Sequence, residues 1–267
     1  MGGKYKLLKE IIPLFPENIR TFIDVFGGGF NVGINVNAEN IIYNDLQKQV
    51  VSFLRHLQNS KIEDLLSEID SYIEKYQLTK ENKEGYLALR EDYNVGELKT
   101  PMKFYTLLCY AFNNQIRFNG KGEYNMPFGK DRSSFNPTLR QKFIDFYVAI
   151  HSKECCFLNI PFKNFCFEDL SEQDLVYCDP PYFNSVATYN ENGGWTEEDE
   201  KLLLDTLDKL NEQGVKFALS NNLKYENQLL DKWKDKYNVH YLNGDYSNCN
   251  YQKKDKSKDI EVLITNY

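Results

Sequence analysis

An apolar run, Asp174-Leu175-Val176-Tyr177-Cys178, closes abruptly on Asp179-Pro180-Pro181-Tyr182. Proline has no backbone N–H and a fixed φ, so two in succession cannot continue a central strand. The chain must leave a sheet there in a rigid loop, with an acid at the carboxyl end of a strand, where open α/β sheets bind ligands. A plain strand terminator with an exposed acid is the bland alternative. Near the N-terminus, Leu7, Leu8, Ile11, Ile12 and Leu14 recur at near-helical spacing before Pro13 and Pro16 end the segment. Thr21 to Phe26 is a short strand-like run, followed by Gly27-Gly28-Gly29 and an apolar stretch through Val32, Ile34 and Val36. This predicts strand, glycine turn, then helix. Ile41 to Asp45 predicts a second strand ending in an acid, and Val50, Val51, Phe53, Leu54 and Leu57 an amphipathic helix. Leu202 to Leu210 predicts another helix, Val215 to Leu219 a strand and Glu261 to Ile264 a terminal strand. Strands alternating with helices at both ends predict an α/β sheet with helices on both faces. Residues 58–148 break the alternation and read as an inserted, mainly helical domain, leaving 1–57 and 149–267 for the sheet domain.

The glycine turn narrows the ligand. Without Cβ atoms, backbone amides approach a ligand closely and the chain can turn sharply. Asp45 follows Gly27 by 18 residues, near the spacing at which a second-strand acid grips ribose hydroxyls in nucleotide-binding sheets. Together they specify an adenosine-containing ligand. A dinucleotide fingerprint fails by one residue, because Val32 stands where its third glycine belongs and Gly33 is next. A nicotinamide dehydrogenase therefore ranks last.

Composition sets the outer limits. A chain of 267 residues, 42% hydrophobic and 27% charged, suits a folded globular protein. A net charge of −7 argues against indiscriminate nucleic-acid binding, which needs a broad cationic surface. The charge is uneven. Residues 61–98 are acidic, whereas residues 117–142 carry Arg117, Lys121, Lys130, Arg132, Arg140 and Lys142 against only Glu123 and Asp131. Lys253, Lys254, Lys256 and Lys258 form a second basic run. Either run alone reads as solvated surface. The 6 cysteines form no C-x-x-C pair and read as reduced thiols of a cytoplasmic protein. No apolar signal core or bilayer-length run is present, and with 3 histidines a metal site is not expected. Residues 111–129 crowd aromatics, amides, Gly and Pro into an irregular loop or hairpin, a kind of segment that usually carries function.

The chemistry of Asp179-Pro180-Pro181-Tyr182 completes the reading. Adenine's exocyclic amine is a poor nucleophile because its lone pair is delocalised. A carboxylate and a backbone carbonyl that accept its hydrogens would favour the nucleophilic form and the developing positive charge. Asp179 and the Pro180 carbonyl suit those roles, Pro181 stiffens the loop, and the Tyr182 ring can stack on the base. The electrophile would be an activated methyl, with no metal required.

Phe26-Gly27-Gly28-Gly29, Asp45 and Asp179-Pro180-Pro181-Tyr182, in that order, resemble the S-adenosylmethionine-dependent DNA adenine methyltransferases of the Dam type. Gly2-Gly3-Lys4 followed by Leu7-Leu8 looks like that family's N-terminal cofactor motif. Phe112 to Asn119, followed by Gly122 to Lys130, looks like the hairpin with which these enzymes read GATC. The resemblance implies a Rossmann-like methyltransferase sheet with an inserted target-recognition domain, acting on double-stranded DNA as a monomer or weak dimer. It implies that Lys4 and the glycine loop hold the methionine end of S-adenosylmethionine, that Asp45 takes its ribose hydroxyls, and that Phe165, paired here with Asn164, lies near its adenine. Asp179 and Tyr182 would serve the target adenine. Arg117 would read a guanine, Phe112 would wedge into the base stack, unless it is a core aromatic, and Met126 and Pro127 would touch bases. Asn114, Gln115, Asn119, Lys130 and Arg132 complete the expected DNA-binding set. Family members usually carry an aromatic residue, and often a basic one, shortly before Gly-Gly-Lys. With Met1 directly before Gly2, either other aromatics hold the adenosine or affinity is reduced. An RNA amino-methyltransferase and a catalytically weak DNA-binding relative remain as alternatives.

Overall fold

The computed structural model describes residues 4–184, 194–242 and 260–267. Its centre is a seven-stranded sheet of β1 (Ile19–Asp24), β2 (Ala38–Asn44), β3 (Glu154–Leu158), β4 (Leu175–Cys178), β5 (Lys216–Asn222), β6 (Asn238–Leu242) and β7 (Glu261–Thr265), in the order β3-β2-β1-β4-β5-β7-β6. The first five strands run parallel, and β7 inserts antiparallel between β5 and β6. Strand order reverses between β1 and β4, which makes the crevice beyond their carboxyl ends the natural ligand position.

Every residue of β4 and β7 is buried, the pattern of strands covered on both faces. On one face Ile23, Val176, Cys178, Phe217, Leu219, Val262 and Ile264 pack with Leu203, Leu204, Leu207 and Leu210 of α7 (Glu197–Glu212) and with Trp233 of α8 (Gln228–Trp233). Thr196 and Asp199 form a capping box at the start of α7, and four acids in its first turn match the helix dipole. On the other face Phe15 meets Phe22 and Tyr177 at 5.5 and 5.7 Å between ring centroids. Phe15 follows a run of short helical turns that includes α1 (Leu8–Ile11).

The helix expected after the glycine turn does not form. One 3₁₀ turn, Gly33–Asn35, stands there. Phe30 takes a left-handed φ of 61°, and its ring packs edge-on against Tyr43 and Phe157. A Cβ at Gly33 would lie 2.4 Å from that ring. Phe30, Val32 and Val36 are therefore buried by a compact loop instead of a helical stripe.

The chain divides into two compact units, Gln47–Ser152 and the sheet unit made by the segments ending at Leu46 and beginning at Lys153. The former holds α2 (Lys48–Asn59), α3 (Ile62–Lys75), α4 (Lys83–Val95), α5 (Pro101–Tyr110) and α6 (Pro137–His151). Its central helix is α5, whose Met102, Phe104, Leu107, Cys109 and Tyr110 are buried. The division falls earlier than the boundary read at residue 57, because α2 packs with the helices. Phe53 stacks on Tyr105 at 4.8 Å and 8°.

Candidate active site

The site is assembled at the carboxyl ends of the parallel strands. β1 delivers Asp24, which is 1% exposed, and leads into the glycine turn. Gly27 donates its N–H to the Asn44 carbonyl at 2.8 Å. A Cβ at Gly27 would lie 2.2 Å from the Tyr43 ring, so only glycine fits against that neighbour. Gly28 has φ +49°, a conformation glycine adopts without penalty. Its N–H donates to Asp45 Oδ2 at 2.8 Å, and its carbonyl accepts from Tyr43 Oη at 2.7 Å. Asn44 adds a stitch, donating to the Val25 and Ile160 carbonyls, both at 3.0 Å, and accepting from the Ile160 N–H. The turn and the acid after β2 are therefore one hydrogen-bonded unit. Phe26 lies against Phe162 and Trp195 at 5.4 and 5.5 Å. Phe165 meets Phe167 at 4.8 Å, and Asn164 is exposed.

Beyond β4, Pro180 is buried and the chain turns out of the sheet. Four side chains from three distant segments converge there. Lys4 Nζ lies 2.9 Å from Asp179 Oδ1 and 3.4 Å from Glu261 Oε2, and it also contacts Tyr182 Oη. Tyr182 Oη donates to Glu261 Oε2 at 3.0 Å, and Asn222 Nδ2 donates to Glu261 Oε1 at 2.9 Å. Lys4 and Glu261 are 4% and 5% exposed, whereas Asp179 is 23% exposed and so more open to solvent. Burial pushes the Glu261 carboxyl above its ordinary range, with the Asp179 charge raising it further against the lowering effect of Lys4. Lys4 thus stands against the Asp-Pro-Pro-Tyr segment. Its partners Gly2 and Gly3, Cys249 and the basic run at Lys253, Lys254, Lys256 and Lys258 lie outside the described residues.

Sequence reasoning missed Asp24 and Glu261. Each had a signal, a carboxylate set within or at the start of an apolar strand. Burial raises the Asp24 carboxyl well above its ordinary value, and the charges of Asp179 and Asp45 push the same way. Among the described residues Asp24 Oδ1 is buried without a hydrogen-bond partner. A buried acceptor in that state is open to a donor on a ligand. A ligand with a cationic amine and ribose hydroxyls fits this donor and acceptor set. Among the described residues no group of three His, Cys, Asp or Glu side chains is arranged to hold a metal, and no helix is long and apolar enough to cross a membrane.

The hairpin residues belong to the helical unit. Two bridges, Ala111↔Phe128 and Phe118↔Tyr124, define the hairpin. Phe112 is 40% exposed, which sets aside a core role. Its N–H donates to the Pro127 carbonyl at 2.9 Å, placing it beside exposed Pro127. Lys130 and Arg132 are exposed in the following turn. Arg117 is half-buried and donates through Nε to Asn125 Oδ1 at 2.8 Å and through Nη2 to the Asn125 carbonyl at 3.1 Å. Asn114 Nδ2 donates to the Leu108 and Cys109 carbonyls, closing α5. Asn119 Oδ1 accepts from the Lys121 and Glu123 N–H groups and shapes the hairpin tip. The Gln115 carbonyl accepts from Tyr124 Oη at 2.7 Å. The base contact expected of Met126 needs correction. Its side chain is 3% exposed inside the unit, and its carbonyl accepts from Tyr86 Oη and Arg90.

A sheet of this order, with a glycine turn after the first strand and a proline-locked acid after the fourth, is a Rossmann-like methyltransferase fold. Residues 1–248 match the D12 class N6 adenine-specific DNA methyltransferases, and the chain belongs to that family. It is 48% identical to the type II methyltransferase M.FokI of Planomicrobium okeanokoites and 39% identical to the modification methylase StsI of Streptococcus sanguinis, in both cases over 100% of this chain and 42% of the relative. A DNA adenine methylase of Vibrio cholerae is 27% identical over 83% of this chain and 79% of its own length. The chain thus spans less than half the length of the first two relatives.

Proposed function

We propose that this chain transfers a methyl group from S-adenosylmethionine to the 6-amino group of an adenine flipped out of double-stranded DNA. The observation that carries the reading is the convergence of Asp179, Tyr182, Lys4 and Glu261 past the carboxyl end of β4, the strand paired with β1, in a chain of the adenine-specific family. The bound cofactor supplies a methyl group made electrophilic by its sulfonium. Asp24 and the turn at Phe26-Gly27-Gly28-Gly29 are the groups that would hold its methionine end, and Asp45 its ribose hydroxyls. Asp179 and the Pro180 carbonyl accept hydrogen bonds from the target amine and stabilise the positive charge that develops on nitrogen. Tyr182 offers its ring face to the base. Because the target atom is shielded in a duplex, the base must leave the stack to reach Asp179.

In the helical unit, Phe112 and Pro127 form an exposed apolar edge followed by Lys130 and Arg132. This edge suits wedging into a base stack with phosphate contacts alongside. Arg117, already aligned by Asn125, is the candidate for a guanine edge. The test is to incubate the chain with labelled S-adenosylmethionine and unmethylated duplex DNA and to map the modified bases. Label confined to adenine N6 at one sequence is expected. Incorporation only into structured RNA, or none, would overturn the reading. The same map decides the recognition sequence, for which the hairpin's resemblance suggests GATC.

A further inference from the structure

Glu261 has no role in the chemistry above, yet both of its carboxylate oxygens are engaged. Its Oε1 accepts from Asn222 Nδ2 at 2.9 Å at the end of β5, and its Oε2 accepts from Tyr182 Oη at 3.0 Å and lies 3.4 Å from Lys4 Nζ. It opens β7, whose residues are all buried and paired with β5 and β6. The carboxylate is thus carried by a strand paired on both sides, while Asp179 and Tyr182 stand on the segment that follows β4.

We infer that Glu261 is a positioning residue for methyl transfer: it sets the tilt of Tyr182 through the phenol and supplies Lys4 with a counter-ion that frees Asp179 to accept the target amine. The inference rests on the proposed function. Lys4 Nζ sits 2.9 Å from Asp179 Oδ1, an oxygen the reaction needs as an acceptor. A buried ammonium must stay paired, because an isolated buried charge is strongly disfavoured. With Glu261 present, Lys4 can loosen from Asp179 as the amine arrives and remain neutralised. Without that charge, Lys4 binds Asp179 harder and competes with the substrate. No proton need pass through Glu261.

The experiment is steady-state kinetics of wild type, Glu261→Gln, Tyr182→Phe and the double variant on duplex DNA with S-adenosylmethionine, with thermal melts alongside. Gln keeps the volume of Glu and removes its charge, so the fold is expected to persist. The expected result is a kcat lowered about 10- to 100-fold in Glu261→Gln, a KM for S-adenosylmethionine within about threefold of wild type, and a double variant clearly less impaired than the product of the two single losses, because one contact is shared. A general structural defect would instead move KM and the melting temperature together. Wild-type kcat in Glu261→Gln, or fully multiplicative losses, would overturn the inference while leaving the proposed function intact. A wild-type chain inert toward duplex DNA would overturn the function and the inference with it. Should Glu261→Gln melt too low to assay, Asn222→Ser removes the Oε1 anchor and keeps the charge. Its kcat is expected to fall about threefold at unchanged KM, and an unmoved kcat overturns the inference.

Discussion

The strand-end cluster and the hairpin of the helical unit are both rich in polar side chains but use them differently. At the strand ends, polar groups from distant segments face one another and retain capacity. Asp24 Oδ1 has no partner among the described residues, and Asp179 is partly open. In the hairpin, Asn114 and Asn119 are bonded to backbone a few residues away, and Met126 is packed inside. Those groups build the loop. The positions left to act on a partner are Phe112, Pro127, Lys130 and Arg132, with Arg117 pre-aligned by Asn125. The candidate chemical site thus brings spare bonding capacity together, whereas the proposed reading surface uses that capacity locally so that a few side chains project.

The sharpest way to break this contrast is at Asp179. Asp179→Ala should lower methyl transfer by about 10²–10³-fold or more while DNA binding persists, as measured by label incorporation beside a gel-shift assay. Retained turnover would remove Asp179 from the chemistry. The next effect belongs to the hairpin. Arg117→Lys keeps the charge but loses the planar fork, so discrimination at one base should fall by about 1–3 kcal/mol. An unchanged profile of modified sites in a randomised DNA pool would show that Arg117 only braces Asn125.

Asp24→Asn should pull stability and function apart. The Asp24 carboxyl is raised by burial and by the charges of Asp179 and Asp45. A raised acid favours the fold while protonated, and that contribution is lost as pH rises through the native value. Asparagine does not ionise. Asp24→Asn should therefore be more stable than wild type by on the order of 1 kcal/mol near neutral pH, with the gap closing as pH falls toward the ordinary carboxylate range. Its affinity for S-adenosylmethionine should weaken at the same time. Melts across pH and calorimetric titration check both, and a destabilised variant would mean that Asp24 is structural. The smallest effect is expected at the exposed cations. Lys130→Ala and Arg132→Ala should each reduce the slope of log affinity against log salt by about 1, nearly independently of DNA sequence. A slope that does not move would place the phosphate track elsewhere.

Several features were legible because they are local. The double proline forced an exit from the sheet after Cys178, and the short apolar runs before the glycine turn and before Asp45 formed neighbouring parallel strands. The absent helix at Gly33 was not legible, because the left-handed Phe30 and its packing on Tyr43 and Phe157 depend on strands that are distant in sequence. The assignment of α2 to the helical unit also escaped the pattern. An amphipathic stripe reports that a helix has a buried face without naming the neighbour that buries it.

What the chain determined by itself was the alternation of strands and helices at its two ends, the strand end marked by the double proline, and the family to which the ordered motifs belong. Periodicity, proline and glycine act over a few residues and need no tertiary context. Only the tertiary structure decided that Glu261, 257 residues from Lys4, shares one cluster with Lys4, Asp179 and Tyr182, and that Met126 is core while Phe112 projects. Those outcomes depend on which strand becomes the neighbour of which, and a free energy of packing over long separations cannot be read from any one segment.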